Sequence, residues 1–330
     1  MGQRCSIKKM FAPFGPQTHK AMDRYTSFRV GGPADLLVLP QTMEQVIALA
    51  RTADKAGLPV TIIGGGTNVL ISDNGIRGLV MVLTRLKQTI EQTTSPMTPD
   101  HTSPDRIDVT ALAGERLGSL CRYAADQGLA GLAWAAGIPG TIGGAVMMNA
   151  GAFGSDMSHV VKQIEVLDLT TLETSVLPAD RLEFSYRKLA LDNSIILKVR
   201  LGLIQDETGT VREEFYRNLK AKQSTQPVSQ ASAGCFFKNP PGGQSAGFLI
   251  EQAGMKGARY NGAMVSDLHA NFIINHGNAC TKDILSLAGQ VKKHVYEKFG
   301  VTLKEEVKTI GSKEKYPKQI QRAGSKNQKT

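Results

Sequence analysis

Three short stretches of this 330-residue chain carry side chains suited to reaction chemistry. The stretch AGCFFKNP places the thiol of Cys235 directly before two aromatic residues and a Lys-Asn pair. FSYRK offers the guanidinium of Arg187, whose planar fork suits a carboxylate, and VTLKEEV offers the acid Glu306. Each residue also has an ordinary structural interpretation: a buried thiol acting as a small hydrophobe, a surface ion pair and an exposed acid.

Two glycine-rich segments form a second kind of candidate site. GGGTNVLISD follows an apolar run, so its backbone N–H groups can converge on an anion, with Thr67 and Asn68 as additional donors. GIPGTIGGAVMMNAGAFGSD interleaves six glycines with small residues, which lets the backbone approach a flat ligand. Neither fits a Walker loop or the dinucleotide fingerprint, and sharp turns or tight packing between chain segments would also explain the glycines. Together, the two loops point to a large phosphate-bearing cofactor.

The composition is that of a globular protein, with 41% hydrophobic and 21% charged residues. No apolar run approaches the roughly 18 residues of a transmembrane helix, and the N-terminus lacks the apolar segment of a signal peptide. The four cysteines have no CxxC spacing. This argues against a zinc site or a disulfide scaffold, so we expect no metal and a reducing, cytoplasmic environment.

The net charge of +10 is partly local, because the tail after Ile310 carries six basic residues and one Glu. The tail lacks apolar periodicity and is predicted to be disordered, while the remaining excess suits anionic small-molecule ligands. A nucleic-acid-binding protein is the alternative that the charge suggests. No RNA-binding or helix-turn-helix pattern accompanies the charge, and 6% aromatic residues give little stacking surface, so we expect no nucleic-acid partner.

The order of elements favours an α+β fold, because helices and strands mix without a regular βαβ rhythm. Thr42 and Gln45 fit a capping box that opens a helix ending near Ala56. Residues 87–106 are rich in Thr, Ser and Pro and are expected to form a loop. Thr281 is expected to cap a long amphipathic helix, and CFF is expected to form a short strand.

Taken in order, these motifs resemble the UDP-N-acetylenolpyruvoylglucosamine reductase family. The match begins with TSFRVGGPADLLVLP and the two glycine-rich segments, and continues through FSYR, GCFFKNP, AGFLIEQAGMKG, HANFIINHG and VTLKEEVKTIG, from about Tyr25 to Gly311. The resemblance implies a two-part FAD-binding domain of the vanillyl-alcohol-oxidase (PCMH) type and a C-terminal α+β substrate-binding domain. The implied boundaries are a lead-in at 1–20, the FAD-binding domain at 21–206 with lobes 21–85 and 86–206, the substrate-binding domain at 207–311 and the basic tail at 312–330.

The resemblance implies that NADPH reduces FAD, and that a hydride then passes to UDP-N-acetylglucosamine enolpyruvate to give UDP-N-acetylmuramate for peptidoglycan synthesis. Hydride addition at the terminal carbon pushes negative charge onto the substrate carboxylate, which needs a nearby cation and hydrogen-bond donors. By resemblance, Arg187 and Glu306 stabilise this enediolate, with Glu306 protonated because burial and the substrate charge raise its pKa. Cys235 then donates a proton. Many relatives carry Ser there, and a thiol of pKa roughly 8.5 is the easier proton donor.

Further positions follow from the same resemblance, in which one glycine loop holds the FAD pyrophosphate and the other lies along the flavin. The residues expected to bind cofactor are Gly64, Gly65, Gly66, Thr67, Asn68, Gly137, Gly140, Thr141, Gly143, Gly144, Asn149 and Ala150. The residues expected to contact substrate or nicotinamide are Tyr186, Lys238, Asn239, His269 and Asn271. The chain resembles the shorter form of the family, which lacks an extra tyrosine-bearing loop, and we expect a monomer without a membrane partner.

Two other functions use the same features. A flavin-dependent oxidase would share the FAD-binding fold, but such oxidases often attach flavin through His or Cys, and the first glycine loop contains neither. An inactive UDP-sugar-binding module would not need Arg187, Cys235 and Glu306 together.

Overall fold

The structure, a computed structural model, describes residues 9–94 and 106–311. The described chain divides into two compact units. The first unit comprises 9–16, 38–67 and 80–229, and the second comprises 17–37, 68–79 and 230–311. Each unit is therefore assembled from separated segments, whereas the sequence suggested consecutive domains. The predicted boundaries stay a prediction, and the tail at 312–330 lies outside the described residues.

Apart from short 3-10 helices, the α-helices that lie wholly within the described residues are, in chain order, α1 (Met43–Lys55), α2 (Leu117–Asp126), α3 (Ile142–Met147), α4 (Thr208–Thr225), α5 (Ala246–Gln252) and α6 (Thr281–Phe299). The strands are β1 (Gln17–Ala21), β2 (Pro33–Val38), β3 (Val60–Ile63), β4 (Val69–Ile71), β5 (Ile76–Val82), β6 (Glu91–Thr94), β7 (Arg106–Leu112), β8 (Leu129–Ala130), β9 (Gly151–Ala152), β10 (Ser155–Asp156), β11 (Val161–Asp168), β12 (Thr174–Pro178), β13 (Phe184–Ser185), β14 (Lys188–Leu189), β15 (Ser194–Gln205), β16 (Arg259–Tyr260), β17 (Ala263–Val265), β18 (Ile273–Asn275) and β19 (Lys308–Ile310).

An antiparallel sheet forms the centre of the first unit. Its strands are ordered β12-β11-β15-β7-β6, and β8 also pairs with β15. Side chains alternate between the faces of a strand, so the buried Leu197, Val199, Leu201 and Leu203 of β15 share one face. Helices α2 and α4 pack against each other. The sheet and helices hold the loops before α2 and α3 in place.

The second unit is organised around helix α6. The antiparallel sheet β16-β17-β18 packs against this helix, and β19 pairs in parallel with β4. The predicted apolar face of α6 is confirmed, since Ile284, Ala288, Val291 and Val295 are all buried. Each of the buried Ile and Val side chains contributes about 1.5–3 kcal/mol relative to exposure.

Helix termini follow the sequence closely, with one correction. Thr42 is the N-cap of α1, and its hydroxyl accepts the Gln45 N–H at 3.2 Å, which confirms the predicted cap. The N-cap of α6 is Cys280 rather than Thr281, because the Asp283 carboxylate accepts the Cys280 N–H at 2.9 Å and completes a capping box there. The predicted cap was therefore wrong by one residue.

Three other local expectations differ from the structure. The predicted lead-in contains β1, which pairs antiparallel with β2, with Gln17 opposite Leu37. The predicted loop at 87–106 contains β6, which extends the central sheet of the first unit beside β7. The predicted CFF strand makes isolated bridges instead. In all three cases the structure depends on which segment pairs with which, and the local sequence does not show this pairing. Strand β6 is also polar, so its composition did not indicate a strand.

Within the described residues, none of the helices combines the length and apolarity that crossing a membrane requires.

Candidate active site

The two glycine-rich loops meet inside the first unit. The Thr67 hydroxyl donates to Pro139 O at 3.3 Å, and a Cβ added to Gly65 would lie 2.7 Å from the Gly140 backbone. A Cβ added to Gly140, whose φ is +113°, would lie 2.7 Å from Thr67 Oγ1. The glycines are thus needed for one loop to close on the other. Tight packing, which the sequence left open, explains these glycines, and the same packing brings the loops to one place.

The joined loops line an open cavity of about 840 Å³. Gly65, Thr67, Gly140 and Thr141, all predicted cofactor-binding residues, are among its lining residues. Arg116, at the entry to α2, lines another wall, and its two neighbours tie it to the loop before α3. There Leu117 N–H donates to Gly140 O at 3.1 Å, and Ile142 N–H donates to Glu115 O at 2.8 Å. These backbone bonds place the first turn of α2 beside the first turn of α3.

The cavity has the chemistry of a phosphate-bearing cofactor site. Arg116 and Arg122 line it with two exposed guanidinium groups, and Ser119 and Tyr123 add hydroxyls. Guanidinium groups and backbone N–H groups are the usual partners of a diphosphate. FAD fits this lining, and Arg116 and Arg122 would hold its anionic part together with the glycine loops. No sequence pattern distinguishes these two arginines, because an exposed Arg at the start of a helix or on its surface is unremarkable without the cavity.

The other predicted cofactor residues lie outside this lining. A Cβ on Gly143 would lie 2.7 Å from the Ala113 side chain, and Gly144 N–H reaches the capping hydroxyl of Thr141. Gly137, with φ of +76°, lies against α4. Gly143 and Gly137 therefore have a packing or backbone reason for being glycine, whereas a Cβ added to Gly144 would make only an ordinary contact, at 3.4 Å from Thr141 Oγ1. The remaining predicted residues that do not line the cavity are Gly64, Gly66, Asn68, Asn149 and Ala150.

Cys235 lies in an extended segment of the second unit between two neighbours. Its backbone forms an antiparallel bridge with Phe272, and Phe236 N–H donates to Asn271 O at 2.7 Å. On the other side, Glu306 N–H donates to Phe236 O at 2.8 Å. Cys235 is half-buried, while Phe236 and Phe237 are each 1% exposed and anchor the segment in the core. The structure therefore brings the segments of Cys235 and Glu306 together as hydrogen-bonded neighbours.

Glu306 is itself half-buried, and Asn68 fixes its backbone. Asn68 Nδ2 donates to Glu306 O at 3.4 Å, and Lys308 N–H donates to Asn68 O at 3.1 Å. Asn68 was predicted to bind the cofactor. In the second unit its amide supports the segment that carries Glu306, and cofactor contact stays a prediction.

Asn271 is buried, with 3% of its surface exposed, and its side chain is engaged by the backbone of Phe237. Phe237 N–H donates to Asn271 Oδ1 at 2.9 Å, and Asn271 Nδ2 donates to Phe237 O at 2.8 Å. The amide thus mimics a strand partner for the residue two positions after Cys235. Both ends of the amide bond to the protein backbone, so the geometry favours a role in which Asn271 holds the Cys235 segment in place. Direct substrate contact by Asn271 stays a prediction.

The other predicted substrate contacts of the second unit lie close by in sequence and structure. Lys238 is half-buried and follows the Cys235 segment, while Asn239 Oδ1 accepts the Ala246 N–H at 3.0 Å at the start of α5. His269 Nδ1 accepts the Asn271 N–H at 3.2 Å, and burial lowers the pKa of His269 below its usual value. The neutral ring with a proton on Nε2 is the form that this geometry favours.

Arg187 and Tyr186 lie in the first unit, at the tip of the β13–β14 hairpin. Ser185 pairs with Lys188, which leaves Tyr186 and Arg187 as the two loop residues. Tyr186 is 52% exposed, and the Arg187 guanidinium carbon lies 5.1 Å from the centre of its ring. Arg187 Nη2 donates to Gly151 O at 3.0 Å.

Comparison with known proteins first defines a class. Residues 34–171 match the family model of an FAD-binding domain, and they include the two loops and the arginine-lined cavity. The chain is thus a flavin-dependent oxidoreductase, and the expected α+β fold with an FAD-binding domain is confirmed. Residues 226–310 match the model of the UDP-N-acetylenolpyruvoylglucosamine reductase C-terminal domain. The chain belongs to the UDP-N-acetylenolpyruvoylglucosamine reductase family.

Individual relatives support this membership over nearly the whole chain. The UDP-N-acetylenolpyruvoylglucosamine reductase of Desulfosudis oleivorans is 41% identical over 298 residues, covering 88% of this chain and 93% of the relative. The reductase of Caldanaerobacter subterraneus is 39% identical over 297 residues, covering 89% of this chain and 93% of the relative. The crystal structure of the reductase from Thermus caldophilus superposes with a TM-score of 0.72 at 33% identity, covering 89% of this chain and 99% of that chain. The family resemblance seen in the motifs is therefore confirmed.

Proposed function

We propose that this enzyme reduces UDP-N-acetylglucosamine enolpyruvate to UDP-N-acetylmuramate, with NADPH as the electron donor, in peptidoglycan precursor synthesis. The observation that carries the proposal is the 39–41% identity to two reductases across both domains of the chain. NADPH is a cytoplasmic reductant, so we place the enzyme in the cytoplasm. We also propose that it is a monomer, and size-exclusion chromatography with light scattering tests this by measuring its molar mass.

The chemistry divides between the cofactor and the chain. When bound, FAD would supply the hydride-transfer chemistry between NADPH and the terminal carbon of the enolpyruvyl group. The electron pair of the carbon–carbon double bond then moves toward the carboxylate, where Arg187 stabilises the growing negative charge. Glu306 donates a hydrogen bond to the same enediolate.

Cys235 completes the reduction as the general acid. Its S–H proton passes to the carbon that carries the carboxylate, which leaves a thiolate that solvent reprotonates. The segments of Cys235 and Glu306 support this assignment, because hydrogen bonds between them place the two residues on neighbouring stretches of backbone. The acid and the charge-stabilising group can thus act on adjacent atoms of one substrate.

An anaerobic visible spectrum tests the proposal. NADPH should bleach the flavin band, and UDP-N-acetylglucosamine enolpyruvate should restore it without air. Recovery only on admission of air would favour the oxidase alternative, and a protein that binds FAD but responds to neither reagent would favour an inactive binding module. The same titration with NADH measures the nucleotide preference.

The two half-reactions also isolate the role of Cys235. Cys235→Ala should keep flavin reduction by NADPH within about 2-fold and slow substrate-dependent reoxidation by about 10²–10⁴-fold, the usual contribution of a general acid. Cys235→Ser is the matched control and should retain turnover. Equal loss of both half-reactions in Cys235→Ala would refute the acid assignment.

A further inference from the structure

The loop residue Arg187 has an unfavourable backbone conformation. Its φ is +57°, in the left-handed region that non-glycine residues seldom occupy, while Tyr186 is not left-handed. A left-handed second loop residue is the pattern of a type II turn, where Gly or Asn is usual. Two-residue hairpins also favour turns whose first loop residue is left-handed. The turn is therefore unusual in both residue type and geometry, and such conformations persist only where surrounding contacts hold them.

Asn149 makes the contacts that hold this turn. It lies after α3 with 3% of its surface exposed. Its Nδ2 donates to Ser185 O at 3.2 Å, directly before the two loop residues, and to Asp156 Oδ2 at 3.1 Å. Its Oδ1 accepts the Ser158 N–H at 3.1 Å. Both ends of the amide are thus engaged, and one end fixes the carbonyl at the base of the turn.

The same network reaches the guanidinium from the other side. Asp156, which accepts from Asn149, pairs with Gly151 in the β9–β10 hairpin, and Gly151 O accepts from Arg187 Nη2 at 3.0 Å. A Cβ added to Gly151 would lie 3.2 Å from Arg187 Nη1 and 2.7 Å from Asp156 Cβ. Asn149 therefore supports the base of the turn directly. Through Asp156 it also supports Gly151, whose carbonyl accepts from the Arg187 guanidinium.

We propose that Asn149 is a positioning residue for the reduction: its buried amide holds the strained Tyr186–Arg187 turn and aims the Arg187 guanidinium at the substrate carboxylate. The proposal rests on the proposed function, because it assigns the purpose of aiming Arg187. It also explains why the Asn149 amide is directed to protein groups instead of the cavity. A displacement of a catalytic group by about 1 Å can reduce a rate by roughly 10²-fold.

The test measures the two half-reactions of the FAD-loaded Asn149→Gly variant by anaerobic stopped-flow. Glycine accepts the φ of +39° at this position, so the change removes the amide without adding backbone strain. Flavin reduction by NADPH should stay within about 2-fold, whereas reoxidation by UDP-N-acetylglucosamine enolpyruvate should slow by about 10–100-fold. Asn149→Asp, which keeps the acceptor oxygen but not the donor to Ser185, is the second variant and should show the same selective loss.

Asn218→Ala is the matched control. Asn218 is a second buried amide of the first unit, and its Nδ2 donates to Ala133 O at 3.1 Å, away from the Arg187 turn. It should lower the unfolding temperature while leaving both half-reactions within about 2-fold of the wild type. If reoxidation were selectively slowed in this control, the loss of any buried amide of the first unit would have the same effect, and the proposal would be overturned.

A double-mutant comparison separates positioning from general support. In an Arg187→Ala background, Asn149→Gly should slow reoxidation no further, because the guanidinium that Asn149 aims is already gone. Independent, multiplying losses would overturn the proposal, as would a normal reoxidation rate in Asn149→Gly. Wild-type protein that fails to be reoxidised by the enolpyruvyl substrate would instead refute the proposed function.

Discussion

Replacing Arg187 with glycine and, in a matched variant, with alanine separates the cost of its backbone conformation from the loss of its side chain. Both variants lose the bond to Gly151 O and the contact with the Tyr186 ring. They differ only in how easily residue 187 adopts φ of +57°. Both should also lose substrate-dependent flavin reoxidation, so the stability comparison does not depend on activity.

The magnitude follows from two opposing terms. The left-handed conformation costs a residue with a Cβ about 1–2 kcal/mol, and glycine avoids that cost. Glycine in turn loses about 0.5–1 kcal/mol more conformational entropy on folding than alanine does. We therefore expect Arg187→Gly to be more stable than Arg187→Ala by about 0.5–1 kcal/mol in free energy of unfolding.

Urea unfolding at fixed FAD concentration measures this difference. With a slope of about 3 kcal/mol per molar urea, the midpoint of the glycine variant should lie about 0.2–0.3 M higher. Lys188 supplies the control position, since it follows directly in β14 without a positive φ. There the order should reverse, with Lys188→Gly less stable than Lys188→Ala. An alanine variant at 187 as stable as the glycine variant would show that the turn is not strained and would refute the reasoning.

Three further predictions concern groups outside that turn. Burial lowers the pKa of His269, so near and below pH 6.5 the unfolded state binds a proton more readily than the folded state does. The free energy of unfolding should therefore fall as the pH drops below about 6.5. The unfolding temperature measured from pH 5 to 7 should depend less on pH in His269→Asn than in the wild type. Burial raises the pKa of the Cys121 thiol to about 12, so iodoacetamide at pH 8 should label Cys121 only after unfolding, as peptide mass mapping would show, and labelling of native protein would contradict this. Asp73 accepts the first two N–H groups of α6, from Thr281 at 2.8 Å and Lys282 at 3.0 Å, so Asp73→Ala should lower the free energy of unfolding by about 1–2 kcal/mol in urea titrations. Asp73→Asn keeps an acceptor and should lose less, and equal losses would contradict the role of the side-chain oxygen.

The sequence by itself determined features that depend on neighbouring residues. The cap of α1 followed from Thr42 and Gln45, which lie three residues apart, and the buried face of α6 followed from the spacing of its apolar residues. The family could be recognised because motifs in a fixed order survive in the chain, whatever contacts they make. The FAD-binding fold was predictable on that basis.

The tertiary structure alone decided how distant segments share one site. Gly65 and Gly140 are 75 positions apart, and only their packing shows why both lack a Cβ and why Arg116 lies beside them. Asn149 meets the carbonyl of Ser185 across 36 positions, and no local pattern distinguishes an amide that binds a cofactor from one that holds a turn. The physical reason is that an amide of either role has the same donors and acceptors. Its partner, and therefore its function, is set by the fold.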